Sequence, residues 1–116
     1  MDVELLFEAR ARVLADLEAR HRAIPLAVSA LEEAVSSRSW WAEQWPEGAQ
    51  YVAGLVAQDV QDALMETIGR WPVCDWCDET GEHMVYIHPD LGGPEPTWVC
   101  EESGNVVAPL GQLPRA

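Results

Sequence analysis

The chain contains no lysine, and its 7 basic residues, all arginine, face 20 acidic ones. The formal net charge is therefore -13, and no basic residue occurs between Trp71 and Pro114. Such a field repels phosphate, so the composition predicts no binding to nucleic acid or to an anionic membrane surface. A protein partner with a basic surface is favoured instead, because it would be attracted to the acidic chain.

Long apolar runs are also missing from the sequence. No run approaches the roughly 20 residues that a bilayer-spanning helix needs, and the N-terminus lacks the basic and apolar stretches of a signal peptide. The cysteine count of 3 is odd, which does not suit a disulfide framework. These absences predict a cytoplasmic protein that is kept in a reducing compartment.

Familiar catalytic motifs are absent as well. The chain has no GxSxG, HExxH, P-loop or GxGxxG pattern. Asp59, Asp62 and Glu66 share one face of a predicted helix, and such carboxylates can hold a metal or do acid–base work. A solvated helix face is the commoner explanation of that pattern. The sequence therefore predicts that the protein is not an enzyme.

Helical periodicity dominates the first part of the chain. Three helices are predicted, over residues 2–22, from Pro25 to the polar stretch 36–39, and over residues 47–69. In the first helix, Asp16 is expected on the polar side, and His21 is expected as an exposed residue at the C-terminal end. Gly69 is expected to end the third helix.

The connection between the second and third helices is rich in tryptophan. It reads WWAEQWPEG over residues 40–48 and contains Trp40, Trp41 and Trp45. Two interpretations remain open, because these rings either fill the core under a loop or form an exposed patch that binds a partner. The core interpretation is the commoner one, and partner binding by the three tryptophans is kept as a hypothesis.

After Pro72 the helical pattern gives way to short apolar runs separated by glycine and proline. Strands are predicted over residues 84–87, 97–99 and 105–108, with a turn over residues 89–96. The predicted fold class is α+β, with a helical region over residues 1–70 followed by a small antiparallel β module over residues 71–116. We expect the two to pack as one compact unit, because so small a module buries little by itself.

All three cysteines lie in this module, and their spacing indicates a metal site. Cys74 and Cys77 form a CxxC pair, which can supply two zinc ligands from one tight turn, and Cys100 can supply a third. The fourth ligand must be a histidine or a water. A redox-active CxxC pair and unligated thiols are the alternatives, although CxxC motifs of the redox type precede a helix and are not surrounded by acidic residues.

Strand geometry separates the two candidate histidines. If residues 83–88 pair antiparallel with residues 97–102, Val85 lies opposite Cys100 and His83 lies about two residues further along. His88 lies three residues from Val85 in the opposite direction along the strand, which places it on the order of 10 Å from Cys100. The sequence therefore predicts His83 as the fourth ligand, and His88 stays open as the alternative.

Residues 72 to about 113 resemble a zinc ribbon, in which two metal-binding turns, usually both CxxC, are carried on a three-stranded sheet. The second turn departs from the pattern, since Cys100-Glu-Glu-Ser103 has serine at its last position. The resemblance implies a structural Zn²⁺ held by Cys74, Cys77, His83 and Cys100. The layout WPxCxxC…H…WVC…VAxLGxL also resembles small uncharacterised actinobacterial proteins with a helical front, a likeness that implies no activity.

From these observations the sequence predicts a small acidic zinc protein that acts as a protein–protein interaction or adaptor module. A homo-oligomer is compatible with this prediction. The alternative is a small metalloenzyme or thiol redox protein that uses the same three cysteines and His83. A catalytic zinc needs an open position and usually a nearby general base, and the HxE motif of zinc deaminases is missing.

Overall fold

The computed structural model describes residues 3–77, 81–91 and 93–116, and these form three helices followed by a three-stranded antiparallel sheet. The helices are α1 (Val3–Ala19), α2 (Pro25–Gln44) and α3 (Val52–Met65), and the strands are β1 (Tyr86–His88), β2 (Thr97–Val99) and β3 (Val106–Pro109). The predicted α+β class is thus confirmed. Asp2 of the predicted first helix and Gly92 of the predicted turn lie outside the described residues.

Helix α1 ends in a backbone cap built by His21. The N–H of Arg22 donates to the carbonyl of Leu17 at 2.8 Å, and the N–H of His21 donates to that of Glu18 at 3.2 Å. This pattern is the Schellman cap, which requires a left-handed residue at the position after the helix, and His21 has φ 59°. His21 is exposed at this end of the helix, as predicted.

Helix α2 is longer than predicted. It was expected to end within residues 36–39, but it continues through Trp40 and Trp41 to Gln44. The serines at the expected end do not break a helix that packs along α3, and the first strong breaker is Pro46. Because a proline excludes helical geometry at the preceding residue, Trp45 has φ -140° and ψ 85° and ends the helix.

The third helix is shorter than predicted at both ends. A 3₁₀ segment occupies Pro46–Tyr51, and α3 begins only at Val52. At the other end, the backbone N–H groups of Ile68 and Gly69 both turn back onto the carbonyl of Leu64 at 2.8 Å. Gly69 has φ 107°, a backbone conformation that glycine adopts readily and that lets the chain turn back after α3. The helical region therefore ends at Gly69, where the third helix was predicted to end.

The tryptophan-rich connection is partly packed and partly exposed. The rings of Trp41 and Trp45 meet edge to face with centroids 5.3 Å apart, and Trp45 stacks on Tyr51 at 6.0 Å. Gly48 is buried beneath them, and a Cβ there would come within 2.6 Å of the Trp41 ring. Trp40 takes no part in this cluster and is 64% exposed.

The sheet has the order β1-β2-β3, and its register matches the predicted pairing. His88 lies opposite Thr97, and Tyr86 lies opposite Val99. Strand β1 begins later than predicted, because Met84 instead forms an isolated bridge with Val73 in the segment after the helices. This bridge ties the start of the β module to its first strand.

Asp16 is the main correction to the predicted burial pattern. It was expected on the polar side of α1, but it is fully buried. Its carboxylate accepts hydrogen bonds from Trp98 Nε1 at 2.8 Å, from the Gly111 N–H at 2.7 Å and from the Leu113 N–H at 3.0 Å. Burial raises the pKa of Asp16, while these donors, Trp98 first, oppose that increase. The donors from the sheet and the chain terminus replace the water that Asp16 would otherwise bind.

Apolar side chains from helices and sheet meet in one buried cluster around Trp98. Trp71 contacts Trp98 edge to face with a centroid distance of 5.5 Å, and both rings are almost completely buried. Leu17 and Leu64 enter the same cluster from α1 and α3. Within the described ranges, no helix combines the length and the apolar character required to cross a membrane.

Candidate metal centre

The four predicted ligand side chains lie together at one end of the molecule. The sulfur atoms of Cys74, Cys77 and Cys100 and a ring nitrogen of His83 are all within 4.8 Å of one another. The Sγ atoms of Cys74 and Cys77 are 3.8 Å apart. His83 Nε2 lies 3.4 Å from the Sγ of Cys77 and 3.6 Å from that of Cys100.

These separations match the edges of a zinc tetrahedron. Zinc binds sulfur at about 2.3 Å and imidazole nitrogen at about 2.0–2.1 Å, so tetrahedral angles place two sulfurs about 3.8 Å apart and a sulfur and a nitrogen about 3.5 Å apart. The Cys74–Cys77, Cys77–His83 and Cys100–His83 distances therefore fit around one small cation.

The backbone joins the CxxC turn to the segment that carries His83. The N–H of Cys74 donates to the carbonyl of His83 at 2.7 Å, and the N–H of Val85 donates to the carbonyl of Pro72 at 3.0 Å. These bonds flank the isolated bridge between Val73 and Met84. They hold the CxxC turn and the histidine at a fixed offset.

Arg20 attaches the end of α1 to the same turn. Its guanidinium pairs with the carboxylate of Asp75 and lies 4.7 Å from the centroid of the Trp76 ring. Its other terminal nitrogen donates to the carbonyl of Pro114 at 3.0 Å. Because Asp75 and Trp76 separate the two cysteines of the CxxC pair, Arg20 positions that pair on the helical region.

Ser103 occupies the place where a zinc ribbon carries its fourth cysteine. The turn is closed by the N–H of Gly104, which donates to the Cys100 carbonyl at 2.7 Å, and the N–H of Cys100 donates to the Asn105 carbonyl at 2.9 Å. The Ser103 hydroxyl and then its backbone N–H, followed by His83, lower the pKa of Cys100 to about 6 against the opposing effect of burial. Ser103 thus favours the thiolate, which is the form that binds metal.

His83 is oriented by a hydrogen bond on the far side of its ring. Its Nδ1 lies 3.1 Å from the carbonyl of Gly81, and a carbonyl can only accept, so Nδ1 carries the proton and Nε2 faces the thiols. Interaction with Cys100, then with Gly81, raises the pKa of His83. Metal ligands commonly have such an outer hydrogen bond, which fixes the tautomer that coordinates.

The structure places the other candidate histidine outside the cluster. His88 Nε2 lies 2.7 Å from Glu101 Oε2, and both side chains are partly exposed. His88 is also opposite Thr97 near the turn, as the register predicts. Of the two candidates, His83 alone is close enough to the cysteines to complete the set.

The carboxylates on α3 have a simpler environment. Asp59 accepts two hydrogen bonds from Arg38, at 2.7 and 2.8 Å, and this pairing raises the pKa of Arg38. Asp62 and Glu66 are exposed. In the described ranges, neither joins a group that has the geometry of a metal site, so the solvated-face interpretation fits these residues.

The supporting roles of two residues, Arg20 and Ser103, were not predicted from the sequence. The contact of Arg20 with the CxxC turn spans 55 positions, and no local pattern indicates it. Ser103 was noted as a departure from the zinc-ribbon pattern, but its lowering of the pKa of Cys100 was not expected. Its CxxS spacing was the available signal, because a hydroxyl at that place can donate where a sulfur would ligate.

The structure thus defines a small α+β protein with a Cys/Cys/His/Cys cluster suited to a metal ion. The chain matches the family model of a domain of unknown function, DUF8819, over residues 2–110, and it belongs to that family. A search of curated proteins and a search of solved structures each gave no match. The zinc-ribbon resemblance stays a prediction about residues 72 to 113.

Proposed function

We propose that this protein is a zinc-binding interaction module in which the metal is structural. The observation that carries the proposal is the cluster of Cys74, Cys77, His83 and Cys100, whose ligand atoms lie within 4.8 Å of one another. Three sulfurs and one nitrogen are a ligand set that zinc prefers. The residues come from three separate segments of the β module, so one ion would join all of them.

A structural role is supported by the small amount of regular structure around the site. The three strands contain 3, 3 and 4 residues. Such short strands contribute few ladder hydrogen bonds, and the binding free energy of a structural zinc becomes folding free energy. Cys100, at the end of β2, is 1% exposed, so its bond to a metal would be shielded from solvent.

The surroundings of the cluster favour a closed site over a catalytic one. Four protein ligands leave no position for a substrate or an activated water. Four clefts with volumes of about 160 to 540 Å³ lie on the described surface, and none of these four is lined by a residue of the cluster. A structural metal is therefore the interpretation that the geometry supports best.

The interaction role rests on charge and on one exposed aromatic ring. The chain carries a net charge of -13, and Trp40 on α2 is 64% exposed. Trp40 borders a groove of about 540 Å³ between α2 and α3, which also contains Glu33 and Asp59. Arg38 also lines the groove and pairs with Asp59, so a basic segment of a partner protein would find the carboxylate of Glu33 and the face of Trp40, which attracts cations.

The metal part is tested by elemental analysis and X-ray absorption on the purified protein. We expect one zinc per chain, with three sulfur ligands at about 2.3 Å and one nitrogen ligand at about 2.0 Å. A protein that folds fully without metal would contradict the structural role. An additional oxygen ligand would favour the enzymatic alternative.

The interaction part is tested by affinity capture from the producing cells with three versions of the protein. A partner that depends on the groove should be captured by the wild type, lost with Trp40→Ala and retained with Phe7→Ala. Phe7 is the matched control, because it is 67% exposed but lies on α1. Capture that both variants retain, or that does not weaken at high salt, would contradict this binding surface.

A further inference from the structure

We propose that a second site, independent of the metal centre, binds a single phosphate group. The site is a cleft of about 160 Å³ near the C-terminal ends of α1 and α3, and we call it the arginine cleft. It is lined by Arg20, Arg22, Arg70, Trp71, Val73 and Ala116. Its position and its charge distinguish it from the acidic groove between α2 and α3.

The charge of the arginine cleft is exceptional within this chain. Three of the 7 basic residues of the whole protein line it, although the net charge is -13. A cation near a helix C-terminus is stabilised by the helix dipole, and this effect accounts for one arginine after each helix. It does not account for three guanidinium groups around one cleft, because like charges at short range repel one another.

Two of these arginines lack a carboxylate partner among the described residues. The recorded hydrogen bond of Arg22 goes to the backbone carbonyl of His21 at 3.3 Å. Arg70 makes no hydrogen bond or ion pair within the described ranges. Arg20 pairs with Asp75. The cleft therefore has unused guanidinium donors in a molecule that is rich in acidic residues.

A fourth lining residue carries an unsatisfied N–H group. Trp71 is 1% exposed, and its Nε1 is the one buried side-chain nitrogen or oxygen in the described part of the chain that has no hydrogen-bond partner. A buried N–H without an acceptor carries a desolvation cost. The unsatisfied group therefore lies on a residue of the same small cleft that carries the unpaired arginines.

A phosphate group fits this arrangement better than a carboxylate does. Planar guanidinium forks bind phosphate oxygens in pairs, and several arginines around one small volume suit a tetrahedral group that accepts from several directions. The cleft volume of about 160 Å³ suits one such group. The carbonyl of Ala116 lies 3.3 Å from His21 Nε2, and within the described ranges neither Arg22 nor Arg70 donates to it.

The acidic surface does not prevent binding in the cleft, but it makes the site selective. Charges more than about 8 Å away are largely screened at physiological ionic strength, so the nearby arginines dominate the local field. The remaining surface repels anions, including polyanions such as nucleic acids. The ligand is thus a small phosphate-bearing molecule and not a nucleic-acid backbone.

The experiment is an NMR titration of the zinc-loaded, ¹⁵N-labelled protein with inorganic phosphate at constant ionic strength. We expect saturable shifts of the Trp71 Nε1–H and of arginine Nε–H resonances, with a Kd on the order of 1 mM or below. Acetate under the same conditions should bind more weakly. Equal binding of acetate would overturn the assignment of the cleft to phosphate.

Variants with the same change of charge locate the site. Arg22→Gln and Arg70→Gln should each weaken phosphate binding at least about tenfold, because each removes charge-assisted hydrogen bonds. Arg10→Gln is the control, since Arg10 lies near the middle of α1 and pairs with Glu32 outside the cleft. Absence of shifts at 20-fold the expected Kd, or equal weakening by all three variants, would overturn the proposal. Zinc content measured in each variant separates a failure of this site from a failure of the metal centre.

Discussion

The helical region and the β module are held together by different forces. The helices bury complete apolar side chains such as Val13, Leu31 and Val60, which are shielded from solvent without any polar partner. Burial of each such side chain contributes about 1.5–3 kcal/mol. The β module has strands of only 3 to 4 residues, and its segments are joined by the Cys/His cluster and by contacts of Asp16 and Arg20. The helices rely on packing, whereas the β module adds a few directional bonds to the packing of Trp71 and Trp98 in the shared core.

Removal of the metal should have the largest effect on stability. It should unfold the β module and leave the helical region folded. Structural zinc contributes about 10–16 kcal/mol of binding free energy in zinc-finger peptides. We expect Cys100→Ser, or a strong chelator, to abolish the NMR dispersion of the β module. Most of the helical circular dichroism should remain, because α1, α2 and α3 pack on one another.

Two histidine variants provide the matched comparison for this prediction. His83→Ala should reproduce the loss of metal, whereas His88→Ala should not, because His88 contacts Glu101 and not the cysteines. Equal zinc content in the two variants would contradict the assignment of His83. Loss of all helical circular dichroism on chelation would contradict the prediction that the helices stay folded without the metal.

Asp16→Ala should have the next largest effect, because it breaks the link between the regions. It leaves Trp98 Nε1 and the N–H groups of Gly111 and Leu113 without their acceptor. Each unsatisfied buried group costs about 1–3 kcal/mol, so we expect a loss of about 3 kcal/mol or more in chemical denaturation. Glu18→Ala, an exposed acidic position on the same helix, should change stability by less than about 0.5 kcal/mol.

Gly48→Ala tests packing inside the helical region alone. The added methyl group would lie 2.6 to 2.7 Å from the rings of Trp41 and Trp45, so at least one ring must move. We expect a loss of about 1–3 kcal/mol, typical of overpacking. Zinc affinity should stay unchanged, and a change in it would show that the two regions are more tightly coupled than the contacts indicate.

Ser103→Ala should act on the metal centre and leave the helices intact. The variant removes the hydroxyl that contributes most to the lowered pKa of Cys100. Loss of such an outer hydrogen bond commonly reduces metal affinity about 10–100-fold, and competition with a chromogenic chelator would measure it. Ser36→Ala, an exposed serine on α2, is the control and should not change the affinity. An unchanged affinity for Ser103→Ala would show that the hydroxyl has no effect on the bound thiolate.

The smallest effect concerns the proton on Asp16. Burial raises its pKa above the ordinary value of 3.8, so the folded protein holds this proton more tightly than the unfolded chain. The corresponding stability is fully present below pH 3.8 and is lost as the pH rises through the folded pKa. The unfolding free energy of the wild type minus that of Asp16→Asn should therefore decrease with pH. Both proteins are measured at the same zinc concentration, so that metal-linked protonation cancels, and a difference that is flat or rises with pH would contradict the burial argument.

The sequence was most informative where a short turn set the geometry. The register of β1 and β2 follows from the turn between them, and that register brings His83 rather than His88 near Cys100. Helix lengths were less predictable, because polar serines do not end a helix that packs on a neighbour. The length of α2 was decided instead by the proline at position 46.

Asp16 shows why part of the structure could not be predicted. Its place in α1, between Val13 and Leu17, lies on the buried face, but a charged residue there suggests solvent. The three donors that make its burial possible come from residues 82 to 97 positions away. No periodicity within a helix contains that information, and the same holds for the contact of Arg20 with the CxxC turn.

The hydrogen bonds of Asp16 also set an order of events during protein synthesis. Helix α1 leaves the ribosome before the β module, and its buried carboxylate obtains the N–H of Leu113 only after 97 further residues have been added. At about 5–20 residues per second, the helix waits roughly 5 to 20 seconds in an incompletely satisfied state. A nascent chain interrupted before Gly111 would therefore keep a buried carboxylate that lacks two of its three hydrogen-bond donors.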